Sequence, residues 1–391
     1  MVPSSRTRLL AILLALTAAP PAGIAQSLGP SPTAQSLPVQ VRWGVRISAR
    51  PSAPPVIAAD TIYLALQSGV VAAHRLSDGG EAWRVEMRTA QPVATEGNRV
   101  FVAAGDAIHA LSSDNADLLW RVPTGPLTAP LLAQDGWLIA ASAGELAAFR
   151  AEDGAKIWGR ETGLQHGRAT IEGDNLYVPL DDGRLLALDL RTGAERWVRR
   201  LVTPRPSAIG KPAPALSEVL AYPDRLFLGA ADGLFYCLEA GDGTVAWRFR
   251  IGAVLRGRPA GDGTRIFITS MDNVLRAFDR RTGTLLWHPS VAYRPSTGPV
   301  LLGSTVMVPG LAPEVRAFDM AGKPAGQIKV EADLVVAPAF SEAVSGIVMA
   351  AITGSLTGQW TLLLLEEARG VPVVPLTDLP GVAVPIAVPE G

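Results

Sequence analysis

The sequence predicts an all-β fold, an eight-bladed propeller of four-stranded antiparallel blades whose ring is closed by the N-terminal strand. Three observations predict it. Tryptophan recurs at 43, 83, 120, 158, 197, 247 and 287, at gaps of 40, 37, 38, 39, 50 and 40 residues. The segments that lead into these tryptophans are copies of one another: LDLRTGAERW (188–197), LEAGDGTVAW (238–247) and FDRRTGTLLW (278–287) superpose without gaps, and FRAEDGAKIW (149–158) joins them. Between the tryptophans lie short alternating apolar stretches broken by turn residues, with no 3.6-residue pattern long enough for a substantial helix. Four short strands per repeat of about 40 residues is the period of a propeller blade.

Each part of the repeat has a physical role. Glycine stands four residues before the tryptophan at Gly154, Gly193, Gly243 and Gly283. It supplies the left-handed backbone of the turn into the outer strand, and the turn's acid accepts backbone N–H groups. Trp43, Trp83, Trp120, Trp158, Trp197, Trp247 and Trp287 then offer broad rings to fill the wedge between neighbouring blades. The second copy has Ala116 in the glycine's place, and the seventh, FDMAGKPAG (318–326), has Gly326 in the tryptophan's place. Proline at 55, 259, 299 and 338 marks the approach to a first strand. Asp182-Gly183, Asp232-Gly233 and Asp272-Asn273 mark tight hairpins. The eighth set of strands is expected at 335–340, 346–353 and 359–366. Its outer strand is VQVRWGV (39–45), with VPVV (371–374) as the alternative.

The chain divides into a signal peptide (1–25), a flexible linker (26–38), the propeller (39–374) and a Pro-rich tail (375–391). Arg6 and Arg8 ahead of a short apolar run, with Gly23-Ile24-Ala25 before Gln26, give the secretory pattern. That run is too short to cross a bilayer, and no cysteine follows it to carry a lipid. The expectation is a periplasmic or secreted monomer without a membrane span.

A formal net charge of −1 leaves no basic face for nucleic acid. The single cysteine, Cys237, excludes an internal disulfide, a CxxC pair and a haem attachment site. His74, His109, His166 and His288 form no metal-binding motif, although His74 and His109 fall on third strands of adjacent blades. No nucleophile elbow, phosphate loop or calcium loop is present. The reading is a protein that is not an enzyme, with no catalytic residue, metal or cofactor.

The tandem D-x-x-T-G-x-x-x-W pattern resembles the pyrroloquinoline-quinone-type propeller repeat, over about residues 39–374. In length, blade count and leader the chain is similar to the non-enzymatic branch, best known as the propeller lipoprotein of the outer-membrane β-barrel assembly machinery. That resemblance implies a scaffold that binds protein partners of the envelope through interblade loops. The other branch, the quinoprotein dehydrogenases, implies an oxidoreductase with a vicinal cysteine pair, which one cysteine does not provide. A small-molecule or glycan binder using the central channel is a third reading. Two departures from the assembly lipoprotein stand out: the lipidated cysteine is missing, and Gln165 stands near where that family has an arginine.

The partner site is expected on loops. The long fifth unit carries VRRLVTPRPSAIGKPAP (198–214), with Arg199, Arg200, Arg205 and Lys211 as partner-binding residues. GLQHGR (163–168) adds Leu164 and Gln165.

Overall fold

The structure is a computed structural model and describes residues 39–202, 216–255, 257–330, 332–343, 346–354 and 359–367. The leader, the linker, the alternative strand 371–374 and the tail lie outside the described residues. Among those described there is no helix, and 32 strands form eight four-stranded sheets. Blades 1 to 7 span residues 56–86, 94–123, 132–161, 170–200, 220–250, 260–287 and 300–329. Within each, sequence order is spatial order from the inner to the outer strand, and every pairing is antiparallel.

Blade 8 joins the two ends of the chain. Its inner three strands are Ala339–Ala343, Gly346–Gly354 and Trp360–Glu367, and its outer strand is Val39–Ile47. Val39 pairs with Glu367 and Ile47 with Trp360. Gln40 Nε2 donates to Glu366 Oε1 at 3.1 Å, and Arg42 reaches the same carboxylate at 3.2 Å. The N-terminal strand therefore closes the ring. Ile47 and the partly buried Trp43 and Val45 pack between blades 8 and 1 against Ile62, Leu64 and Leu66. The innermost strand begins at Ala339 rather than at 335. Leu334 instead bridges Thr353, as Leu127 and Leu255 bridge the second strands of their own blades and Leu216 bridges Ala230, one residue past the end of its own.

Eight apolar clusters hold the ring, one in each wedge between neighbouring blades. Alternate residues of a strand point to opposite faces of its sheet, so each blade supplies two clusters. In blade 3, Ala140, Ala147 and Phe149 face blade 2, whereas Ile139, Leu146 and Ala148 face blade 4.

The repeat pattern explains how one blade grips the next. In the blade 4 turn, Asp189 Oδ1 accepts from the Arg191 and Thr192 N–H groups at 3.1 and 3.0 Å, and from the Thr192 hydroxyl at 2.9 Å. Those bonds, the Thr192 hydroxyl first and then Arg196, hold its carboxyl down to about 2. Gly193 follows at φ +69°. A Cβ there would lie 2.6 Å from the ring of Trp158 in the preceding blade, and Trp158 Nε1 donates to Leu190 O at 2.8 Å. The arrangement recurs around the ring: Trp43 lies on Gly79, Trp120 on Gly154, Trp197 on Gly243, Trp247 on Gly283 and Trp287 on Gly322. All seven repeat tryptophans donate to a carbonyl of the following blade. In blade 2 the position is filled by Ala116, at φ +62°, against Trp83.

The chain has seven such tryptophans for eight interfaces. In blade 8 the third and outer strands come from opposite ends of the chain, so no turn joins them. Among the described residues blade 8 thus offers blade 7 no glycine turn for an indole to rest on, and Gly326 occupies the position.

Candidate functional site

Connections from an outer strand to the next inner strand emerge on one face of the ring, together with the turns between second and third strands. The glycine turns lie on the opposite face. On the connection face the repeat aligns backbone carbonyls: Arg50, Leu164 and Val254 each accept from an N–H of the neighbouring hairpin, at 2.8, 3.0 and 2.9 Å. The side chains at this position differ. Leu164 is 54% exposed and Val254 42% exposed. These two apolar residues flank the long connection between blades 4 and 5, whose residues 203–215 lie outside the described residues.

Next to Leu164, Gln165 turns inward and is 2% exposed. Its Nε2 donates to Gly167 O at 2.7 Å, while its Oε1 is buried with no hydrogen-bond partner among the described residues. Gln165 sits where other connections put Leu127, Leu216, Leu255 or Leu334. Its bond to Gly167 pins the loop, and the side chain is turned away from solvent. His166 pairs through Nδ1 with the Asp181 carboxylate. Asp182 gathers Arg184 at 2.6 Å and Arg200 at 3.7 Å, and its carbonyl accepts from Arg200 Nη1 at 2.8 Å. Arg184 Nη2 also donates to Thr162 O at 3.0 Å, tying the connection to the hairpin.

The basic residues expected on the long loop separate. Val198, Arg199 and Arg200 belong to the outer strand Glu195–Arg200 and not to the loop, because the register continues past the tryptophan: Arg199 pairs with Leu185 and Arg200 with Arg184. Arg199 reaches across to blade 5, where its Nε donates to Asp242 O at 3.1 Å. Its aliphatic stem lies on Gly243 beside Trp197. Arg205 and Lys211 lie outside the described residues.

Sequence reasoning passed over a charged arc near the channel. Arg168 and Arg258 stand two residues ahead of the inner strands Thr170–Glu172 and Ala260–Gly261, and Glu218 stands two ahead of Leu220–Ala221. The signal was the alignment itself, since blades 1 to 3 have Pro54, Pro92 and Pro130 at that position. Arg258 Nε donates to Val219 O at 3.1 Å, and Thr170 Oγ1 donates to the same carbonyl at 2.9 Å. Solvent reaches the Arg258 side chain. Even so, the protein crowding it and then the Arg168 charge push its pKa below the ordinary arginine value.

Cys237 is buried in the third strand of blade 5, and burial pushes its thiol up to about 12. His74 is buried with Nδ1 2.9 Å from Gly79 O. Among the described residues no three His, Cys, Asp or Glu side chains are grouped as metal ligands.

Comparison with known proteins agrees with this architecture. The family model described as outer membrane protein assembly factor BamB matches residues 67–213 and 211–351. The outer membrane protein assembly factor BamB of Shewanella oneidensis is 23% identical over 259 residues, covering 62% of this chain and 64% of the relative. The chain thus spans a little under two thirds of that relative's length. The crystal structure of BamB from Moraxella catarrhalis superposes with a TM-score of 0.66 at 18% identity, covering 84% of this chain and 99% of that one. Quinohemoprotein alcohol dehydrogenase from Comamonas testosteroni superposes with a TM-score of 0.67 at 14% identity, covering 86% and 78%. At such identities both structures speak for the fold alone.

Proposed function

The chain belongs to the outer membrane protein assembly factor BamB family, and on that premise we propose that it is a non-catalytic scaffold serving outer-membrane protein assembly. In this reading it holds a protein partner on the connection face of blades 4 to 6. The carrying observation is the pair of exposed apolar residues, Leu164 and Val254, at one repeat position on either side of the longest connection. Exposed apolar groups rimmed by charge are what a protein interface needs at its centre. Arg168, Glu218, Arg258, Arg200 and the His166–Asp181 pair supply such a rim, and Arg205 and Lys211 extend the positive charge along the loop. A rigid ring presents this surface without loss of order in the scaffold.

The working place is the envelope beyond the inner membrane, on the strength of the Arg6/Arg8 leader. The dehydrogenase branch shares the fold but has a vicinal cysteine pair, whereas this sequence has the lone, buried Cys237. The test is capture from solubilised envelopes of the source organism with wild type, Leu164→Asp and Val254→Asp. Either substitution should leave melting unchanged and abolish recovery of assembly-machinery subunits. Undiminished recovery with both would move the interface elsewhere, and dye-linked alcohol oxidation with added quinone and calcium would overturn the non-catalytic reading.

A further inference from the structure

Charge at the mouth of the channel is confined to one arc. The residue two ahead of the inner strand is proline in blades 1 to 3, Gly298 in blade 7 and Ala337 in blade 8. Blades 4 to 6 have Arg168, Glu218 and Arg258 there. At this position a connection ends and passes into the strand beside the channel, so the arc lies at the channel mouth on the connection face.

Blade 5 brings the two arginines together. Its buried Val219 carbonyl accepts from Thr170 Oγ1 of blade 4 at 2.9 Å and from Arg258 Nε of blade 6 at 3.1 Å. Arg258 therefore lies across blade 5 toward the segment that carries Arg168, two residues from Thr170, and the Arg168 charge bears on it. Both arginines are held from the backbone. Gly257, at φ +68°, and Gly298 pack so closely that a Cβ on either would collide with the other connection, which wedges the start of Arg258 against blade 7. The Gly167 carbonyl, just ahead of Arg168, is tied by Gln165 Nε2.

Arginines elsewhere in blades 4 to 7, such as Arg184, Arg265 and Arg276, are paired with carboxylates. Among the described residues Arg168 makes no hydrogen bond or ion pair, and Arg258 makes none beyond its Nε bond. Glu218 and Glu172 stand within the field of Arg258, yet neither closes an ion pair among the described residues. The fold thus keeps two guanidinium groups near each other with N–H donors to spare. Like charges held together favour an anion between them, and the guanidinium fork matches a carboxylate in bidentate geometry. The charges of Arg168, Arg258, Glu172 and Glu218 cancel, so a single negative charge is accommodated more readily than the double charge of phosphate.

We infer that Arg168 and Arg258 hold a carboxylate whose neighbouring N–H goes to Glu218, as in an N-acyl amino acid or the free C-terminal residue of a peptide. The site takes such a ligand directly and does not rest on the docking of a partner at Leu164 and Val254.

The test is saturation-transfer NMR on the whole chain at low ionic strength, where exposed charges are least screened. The probes are N-acetylalanine, acetyl-trialanine and acetyl-trialanine amide, with inorganic phosphate as competitor. Both free acids should bind at millimolar concentration, and the amide about tenfold more weakly or worse. Tighter binding of acetyl-trialanine than of N-acetylalanine assigns the site to a chain end, and equal binding to a free acyl amino acid. Arg168→Gln removes no hydrogen bond among the described residues, so melting should be unchanged while acid binding falls about tenfold. Arg191→Gln, on the opposite face, should bind like wild type. Failure of both acids to bind would overturn the assignment, as would equal binding of acid and amide. So would unchanged binding in folded Arg168→Gln, an equal loss in Arg191→Gln, or phosphate binding more tightly than N-acetylalanine.

Discussion

Replacing Gly193 by alanine tests the interlock between blades at one atom. The residue has φ +69°, where an L side chain costs about 1–2 kcal/mol. The added carbon would lie 2.6 Å from Trp158 Cδ2 and 2.7 Å from Cε3. The indole has to retreat and lengthen its 2.8 Å bond to Leu190 O, an overpacking cost of about 1–3 kcal/mol. Reduced freedom of the unfolded chain returns about 0.4–1 kcal/mol. The expected net loss is about 2–4 kcal/mol, read by urea unfolding with tryptophan fluorescence. A double-mutant cycle isolates the contact. Trp158→Ala alone should cost about 3–5 kcal/mol. In that background Gly193→Ala should cost only its backbone strain, giving a coupling of about 1–3 kcal/mol. Equal costs of Gly193→Ala with and without Trp158 would refute the argument that glycine is there to seat the ring.

Three further outcomes follow from the same geometry. Deleting residues 26–46 removes most of the outer strand of blade 8 and bares the edge of Trp360–Glu367; aggregation on size-exclusion chromatography is expected, and a monodisperse, equally stable deletion would contradict ring closure. His74 has its pKa lowered from 6.5, by burial first. It therefore adds stability that is complete above pH 6.5 and is lost as pH falls toward its lowered folded value. His74→Leu, the residue blades 2, 4 and 5 have as Leu111, Leu188 and Leu238, should flatten that part of the stability–pH curve, leaving a smaller slope from His109, which burial lowers likewise. Cys237, buried and raised to about 12, should resist a thiol reagent at neutral pH until the ring unfolds, so rapid native labelling would contradict its burial.

The ring was readable in the sequence because its determinants are local. Asp189, Thr192 and Gly193 act within one turn, so their spacing repeats wherever the turn does. The reason for Gly326 was not readable, because it lies in the next blade, whose turn is replaced by the meeting of the chain ends. The candidate site was read less well. Arg199 looks like part of a basic loop, yet the bulge opposite Ala187 and Leu188 keeps the outer strand in register through Arg200, and the guanidinium crosses to Asp242. Gln165 has the composition of a surface loop but the register of a buried leucine, and only the aligned bridges of other blades reveal that.

The most direct test of the docking face is site-specific photocrosslinking in living cells of the source organism. A photoreactive residue at position 164 on the connection face is compared with one at Arg191, exposed on the opposite face. The account predicts a discrete adduct with an outer-membrane assembly subunit from position 164 and none from 191. An adduct from 191 with none from 164 would contradict it.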